Sequence, residues 1–478
     1  MVKNTIKKDS DEFKSMFREY DIRGKVNKFE LNEESVFEIV SAYARLIKER
    51  GIKKVVLGYD NRDCSPSFHD SALNALIEYG MTVYDIGLTL TPVAYYAQYR
   101  FEAEGLVMIT ASHNPNGWSG FKLGSGFSRT LGKEEIKKVY NYCLEPFNYK
   151  GNSGEVIEVN VREDYINEVL SRINMGENKP RVIIETANGG AGLFAYEIFE
   201  RLGCVTFLLN ADPDCTYPKY FPNPSDKLAC KTIQSLISHP YINADLGLFF
   251  DGDGDRVGVT SKDGNPVYSD IVLALLSRQF LALHPHEKII FDVKCSRTLS
   301  ETIEECGGEP IMWSTGHSFI KSKMHQENAI LAGERSGHIF IGGDEYYGFD
   351  DGLFAGAKLV EFLSHQTKSL TEIISTLPKY VTSPEIYVDC ADNVKYKVMD
   401  KIVKRFKELY PDNVIDINGA RVEFENGWGL VRASSNMPLL GLLFEGKTRT
   451  DMQKIKEIFR SVLSEFSEVS SYWQNDDE

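Results

Sequence analysis

The sequence predicts an α/β protein made of several similar units. Short apolar strand candidates alternate with helical patterns for most of its 478 residues, and the alternation restarts near residues 160, 265 and 380. A third observation, the run Asp251-Gly252-Asp253-Gly254-Asp255 directly after an apolar strand, predicts where the chemistry collects.

Lys54 to Asp60 reads as a strand, Ser67 to Tyr79 as a helix and Met81 to Ile86 as a second strand. Leu106 to Thr110 reads as another buried strand. Arg181 to Glu185 opens a second series, with a glycine-rich turn at Asn188-Gly189-Gly190-Ala191-Gly192, a helix over Leu193 to Leu202 and a strand at Val205 to Leu209. Lys288 to Asp292 starts a third. The final hundred residues differ in texture. They hold a charged amphipathic helix over Lys395 to Leu409, a strand at Leu430 to Ala433 and a helix over Asp451 to Phe466, before an acidic tail, Gln474 to Glu478. Breaks at Lys150-Gly151-Asn152-Ser153-Gly154 and Leu377-Pro378-Lys379-Tyr380 help to divide the chain into domains at 1–158, 159–264, 265–378 and 379–478.

Composition is that of an ordinary globular protein, 42% hydrophobic and 26% charged. A net charge of −15 argues against non-specific attraction to nucleic acid or an anionic membrane, while leaving room for a local basic pocket. The N-terminus lacks an apolar core of signal-peptide length, and no stretch approaches the ~20 apolar residues of a membrane span. The eight cysteines are dispersed without a Cys-x-x-Cys pair, so the expectation is a cytoplasmic chain with reduced thiols.

Three carboxylates at alternate positions repel one another unless a cation compensates them. Hard oxygen ligands at this density suit Mg²⁺, and the glycines let the backbone bend round an ion. An EF-hand would need Gly and Glu where Arg256 and Lys262 stand, so that reading fails; a solvated Asp/Gly turn is the bland alternative. A second loop, Thr110-Ala111-Ser112-His113-Asn114-Pro115, follows a strand, which predicts an exposed Ser112 at the strand's carboxyl end. A serine there can accept a phosphoryl group, with His113 and Lys122 as acid/base or phosphate-orienting groups, or can merely cap an ordinary loop. Gly333-Glu334-Arg335-Ser336-Gly337-His338 offers groups suited to sugar hydroxyls, and Arg432-Ala433-Ser434-Ser435-Asn436 offers a phosphate clamp.

Taken in order, these loops resemble the α-D-phosphohexomutase superfamily, most closely its phosphomannomutase/phosphoglucomutase branch. The resemblance spans nearly the whole chain. It includes Phe17-Arg18-Glu19-Tyr20-Asp21-Ile22-Arg23-Gly24, Phe291-Asp292-Val293-Lys294-Cys295-Ser296 and Thr315-Gly316-His317-Ser318 beside the four loops above. It implies a heart-shaped enzyme of three similar α/β domains with mixed sheets and a smaller α+β C-terminal domain, each giving one loop to the site. By similarity Ser112 would be the phosphoserine, and Ser112, Asp251, Asp253 and Asp255 would hold Mg²⁺. Arg256 would lie next to the transferring phosphate, Lys122 would be a base-like lysine supported by His113, and Tyr20 and Arg23 match the N-terminal motif. Lys294 and His317 match contacts near the reacting sugar. Glu334, Ser336 and His338 would read that sugar, while Arg432, Ser434, Ser435 and Asn436 would hold the non-transferring phosphate.

The implied reaction interconverts hexose 6-phosphate and hexose 1-phosphate, of mannose, glucose or both, through a hexose 1,6-bisphosphate. Partners would be small sugar phosphates, with no nucleic acid or membrane, in a monomer or dimer. The chain departs from the family where Asn116-Gly117-Trp118-Ser119-Gly120 follows Pro115, and where Ser435 and Asn436 replace an Asn and a Thr. A phosphoglucosamine mutase on the same scaffold is the near alternative. A haloacid-dehalogenase-type phosphotransferase is a distant one, since it favours Thr or Val where Asp255 stands and leaves the Ser112 loop unexplained. A catalytically silent sugar-phosphate binder is the third.

Overall fold

A computed structural model describes residues 6–146, 149, 151–224, 226–434 and 437–475. They fall into two compact units, Met1–Ser269 with Ser336–Glu372, and Asp270–Arg335 with Ile373–Glu478. Among the described residues no helix is long and apolar enough to cross a membrane.

The first unit holds two mixed sheets. One runs in the order Ile22–Lys25, Trp118–Ser125, Gly105–Ile109, Lys54–Tyr59, Thr82–Leu88, Glu155–Glu158. Its last four strands are parallel, whereas Trp118–Ser125 pairs antiparallel with Gly105–Ile109 and Ile22–Lys25 with Trp118–Ser125. The other sheet has parallel strands Leu246–Phe250, Arg181–Glu185 and Val205–Leu209, extended by the antiparallel Val257–Ser261 and Pro266–Val267. Gly105–Ile109 and Leu246–Phe250 are buried along their whole length, as parallel-sheet strands covered on both faces must be. Each large apolar side chain hidden this way contributes about 1.5–3 kcal/mol of transfer free energy.

Helix ends are set locally. Asn32 caps Glu33–Lys48 in a capping box, Ser296 caps Arg297–Glu305 and Thr448 caps Arg449–Leu463. Helix Gly352–Ser364 is buried at all 13 positions and packs on Leu246–Phe250 and Val257–Ser261, which ties Ser336–Glu372 to the first unit. Its cap Asp351 accepts hydrogen bonds from Tyr165, Tyr346 and the Phe354 amide; burial raises its pKa to about 6 despite these donors.

The second unit carries a parallel set, Glu309–Trp313, Lys288–Asp292 and Leu331–Gly333, and an antiparallel sheet. That sheet is ordered Val414–Ile415, Ala420–Phe424, Gly427–Ala433, Leu439–Gly446, Ile386–Asp389, Trp473–Gln474, with Val381–Thr382 also on Leu439–Gly446. The predicted C-terminal helices form as Lys395–Leu409 and Arg449–Leu463. The glycine-rich turn after Asn188 differs slightly from expectation: it tightens into a 3₁₀ turn, Gly190–Leu193, before helix Ala195–Arg201.

One ion pair between helix Ser65–Glu78 and strand Thr82–Leu88 makes folding pH-dependent. His69 Nε2 lies 2.9 Å from Asp85 Oδ1. Burial opposes both charges, yet each partner outweighs it, raising His69 above 6.5 and lowering Asp85 below 3.8. The pair therefore stabilises fully between about pH 4 and 6.5. Its contribution fades as pH rises through the raised His69 value or falls through the lowered Asp85 value. Urea titrations across pH should show a His69→Gln deficit that is largest inside that window and shrinks on both sides.

Candidate active site

Strand Gly105–Ile109 delivers the Ala111–Gly117 loop, and the chain then returns as strand Trp118–Ser125 with Lys122 opposite Met108. Lys122 thus stands on a rigid strand rather than in the loop. Ser112 does lie just beyond a strand's carboxyl end, but it is 1% exposed, which corrects the expectation of an exposed serine. The metal-type loop folds over it: a Cβ on Gly252 would sit 2.8 Å from Ser112 O, so only glycine permits this approach. Ser112 also holds φ at +51°, a left-handed conformation costing on the order of 1–3 kcal/mol for a non-glycine residue.

The strain is held by a buried arginine that the sequence reading missed. Arg62 donates from Nη2 to Ser112 O at 2.8 Å and Asn114 O at 2.7 Å, and from Nη1 to Pro115 O at 3.1 Å and Trp118 O at 3.3 Å. Asp60 accepts from Arg62 Nε at 3.1 Å and from the Ala111 amide at 3.3 Å. The only sequence signal was an Asp-x-Arg just past a strand.

Asp251, Asp253 and Asp255 are all fully buried, with one carboxylate oxygen from each inside a 4.8 Å span. Ser112 Oγ donates to Asp251 Oδ2 at 2.8 Å, so a serine and a carboxylate 139 positions apart meet as the sequence suggested. Asp251 Oδ1 takes the Arg256 amide at 3.1 Å. Asp253 Oδ1 and Asp255 Oδ1 accept no hydrogen bond among the described residues, which is costly for buried oxygens and suits a divalent cation. Burial, then the charges of Asp255 and Asp253, push the Asp251 carboxyl well above its usual range. Burial acts likewise on Asp253 and Asp255, but Lys122, joined by the Thr91 hydroxyl at Asp253 and by His338 and Arg256 at Asp255, outweighs it and holds both below theirs.

Lys122 Nζ donates to Asp253 Oδ2 at 2.9 Å and to Asp255 Oδ2. Burial works hardest against its charge, yet the two aspartates keep the ammonium protonated far above its ordinary range. Arg256 Nε donates to His338 Nε2 at 2.8 Å and lies 3.7 Å from Asp251 Oδ2. His338 Nδ1 lies 3.0 Å from Asp350 Oδ2, so His338 sits against the metal-type loop as well as beside Ser336. His113 Nδ1 is 3.2 Å from Ser112 Oγ. The Arg256 charge, burial and the Arg23 charge hold its ring well below the ordinary histidine value, hence neutral. Arg23 donates to Asn114 Oδ1 at 2.8 Å and Asp21 Oδ2 at 2.9 Å; Tyr20 is half-buried just before strand Ile22–Lys25.

In the second unit Asp292 organises a group of its own. It accepts from Thr315 Oγ1 at 2.8 Å and from the Arg335 amide at 3.2 Å, and Glu334 Oε1 accepts from the Gly316 amide at 2.5 Å. Gly316 immediately precedes His317, the first residue of helix His317–Glu327. Arg335 itself pairs with buried Asp270 rather than standing out from the loop. Lys294 is 9% exposed and pairs with no carboxylate among the described residues. Arg421 donates to Val293 O at 2.7 Å and Cys295 O at 2.8 Å, on either side of Lys294. Asp292, Asp270 and Arg421 were not singled out from sequence. Arg432 lies on strand Gly427–Ala433, its Nε buried with no hydrogen-bond partner among the described residues. Ser434 Oγ accepts from the Met437 amide at 3.2 Å, while Ser435 and Asn436 lie outside the described residues.

The chain matches the family models described as phosphoglucomutase/phosphomannomutase alpha/beta/alpha domain I at residues 14–150, domain II at 163–264, domain III at 268–380 and the C-terminal domain at 385–462. It is 38% identical to a phosphomannomutase/phosphoglucomutase of Pseudomonas putida, over 94% of this chain and 95% of that one. It is 36% identical to a phosphoglucomutase of Neisseria meningitidis, over 94% and 97%. A crystal structure of a phosphoglucomutase/phosphomannomutase family protein from Burkholderia thailandensis superposes with a TM-score of 0.87 at 32% identity, covering 96% of this chain and 98% of that one. Four matched domains in order, with a buried serine against a carboxylate triad, make this chain a member of the phosphoglucomutase/phosphomannomutase family.

Proposed function

We propose that the protein is a Mg²⁺-dependent phosphohexose mutase that interconverts the 6- and 1-phosphates of mannose, glucose or both. The observation that carries this reading is Ser112 Oγ at 2.8 Å from Asp251, beside two buried carboxylate oxygens that accept no hydrogen bond among the described residues. Phosphorylated Ser112 gives its phosphoryl group to the free sugar hydroxyl: the Oγ–P bond breaks, a sugar O–P bond forms, and the hydroxyl proton passes by way of neutral His113 to the freed Ser112 Oγ. The resulting hexose 1,6-bisphosphate returns its other phosphoryl group to Ser112 Oγ. Asp251, Asp253 and Asp255 are assigned to Mg²⁺, which when bound supplies charge neutralisation to the phosphoryl oxygens. Lys122 and Arg256 add fixed positive charge, and neutral His113 stays within hydrogen-bond reach of Oγ. Tyr20 and Arg23 are assigned to the same end of the site.

In the second unit, Lys294, a buried ammonium with no carboxylate partner among the described residues, is assigned with His317 to the reacting sugar. Glu334, Ser336 and His338 are assigned to its hydroxyls. Arg432, Ser434, Ser435 and Asn436 are assigned to the distal phosphate, for which Arg432 keeps a buried Nε that donates to nothing else among the described residues. Reading hydroxyls shared by glucose and mannose gives dual specificity. The test is mutase activity with Mg²⁺ and glucose 1,6-bisphosphate, comparing kcat/KM for mannose, glucose and glucosamine 1-phosphates. No turnover of any hexose phosphate would leave a silent binding protein, and preference for the amino sugar would favour a phosphoglucosamine mutase. Asp253→Asn should raise the Mg²⁺ concentration for half-maximal activity more than about tenfold, measured by metal titration of the rate.

A further inference from the structure

Thr91 is fully buried and opens helix Thr91–Phe101 ahead of Pro92. It grips Asp253 at both ends. Its hydroxyl donates to Asp253 Oδ2 at 2.6 Å, and its amide donates to Asp253 O at 2.9 Å. Lys122 Nζ donates to the same Oδ2 at 2.9 Å, so that oxygen is committed to two donors while Oδ1 accepts none among the described residues. Leu90, the preceding residue, closes over Gly254, where a Cβ would stand 2.9 Å from Leu90 Cδ1.

A carboxylate rotates broadly about its terminal torsion, so burial alone does not choose which oxygen faces an ion. A short, charge-assisted hydrogen bond does. We propose that Thr91 is a positioning residue of the metal site: it engages Asp253 Oδ2 and thereby turns Oδ1 toward the divalent cation. Ligands held in this way typically lose about ten- to a hundredfold in metal affinity when the outer partner is removed. The inference rests on the metal-site reading above and adds to it a residue from helix Thr91–Phe101, outside the aspartate loop.

The test measures Mn²⁺ binding to the purified protein by electron paramagnetic resonance of the free ion, without turnover. Thr91→Val removes the hydroxyl at nearly constant shape, and Thr91→Ser keeps it. Thr91→Val should bind Mn²⁺ about ten- to a hundredfold more weakly than wild type, and Thr91→Ser within about threefold. At saturating metal, the KM for sugar phosphate should be unchanged. Equal Mn²⁺ affinity in Thr91→Val and wild type overturns the proposal, as does a loss that Thr91→Ser fails to restore. If the valine variant does not fold, Thr91→Ala, which also lacks the hydroxyl but adds no methyl group against Lys122, decides by the same affinities. Wild-type protein that binds no Mn²⁺ overturns the metal-site reading itself, which keeps the two failures apart.

Discussion

Ser112→Ala is expected to lower mutase turnover by roughly four orders of magnitude or more, the scale on which removing a covalent nucleophile acts. The substitution deletes one oxygen from a buried position, and that oxygen is the group held 2.8 Å from Asp251 and 3.2 Å from His113. Two measurements check it. A coupled assay follows hexose 1-phosphate conversion, and intact mass after incubation with glucose 1,6-bisphosphate follows the phosphoryl group on the protein. Wild type should gain one phosphate that survives hydroxylamine, as a serine ester does, and Ser112→Ala should gain none. A hydroxylamine-labile phosphate would move the nucleophile to an aspartate. Retained labelling in the alanine variant would remove Ser112 from the mechanism altogether.

Arg62→Ala should cost about 3–5 kcal/mol of folding stability, because it leaves Asp60 buried without its cation and four loop carbonyls without donors. Urea unfolding with unchanged slope reads this directly. Turnover should fall as well, since the left-handed Ser112 loses the contacts that hold it there. Arg62→Lys should rescue little: a single ammonium cannot reach four carbonyls from a fork. A loss below about 1 kcal/mol would show that the loop is held by its other bonds.

The alternating strands and the aspartate loop were legible because their signals are local. Buried parallel strands read as apolar runs, and three carboxylates at alternate positions repel one another unless a cation compensates them. The same locality explains what was missed. Thr91, Arg62, Asp292 and Arg421 are common residue types whose roles exist only after distant segments meet. Ser112 was placed at the right strand end but on the wrong side of the surface, since Gly252 and its neighbours approach from another sheet. The strand that carries Lys122 was not read from sequence, because Gly117, Ser119 and Gly120 just before it are turn-forming types. Yet strand Trp118–Ser125, paired on both sides, overrides that local preference.

The two buried arginines share one habit: Arg62 and Arg421 bind their loops mainly through main-chain oxygens around Ser112 and Lys294. A loop fastened by its backbone keeps its path when its side chains change. Residues between the fastened carbonyls are therefore open to replacement one at a time without loss of the fold. A change of sugar preference can then be made by single exchanges beside Lys294 while Arg421 keeps the path of that loop.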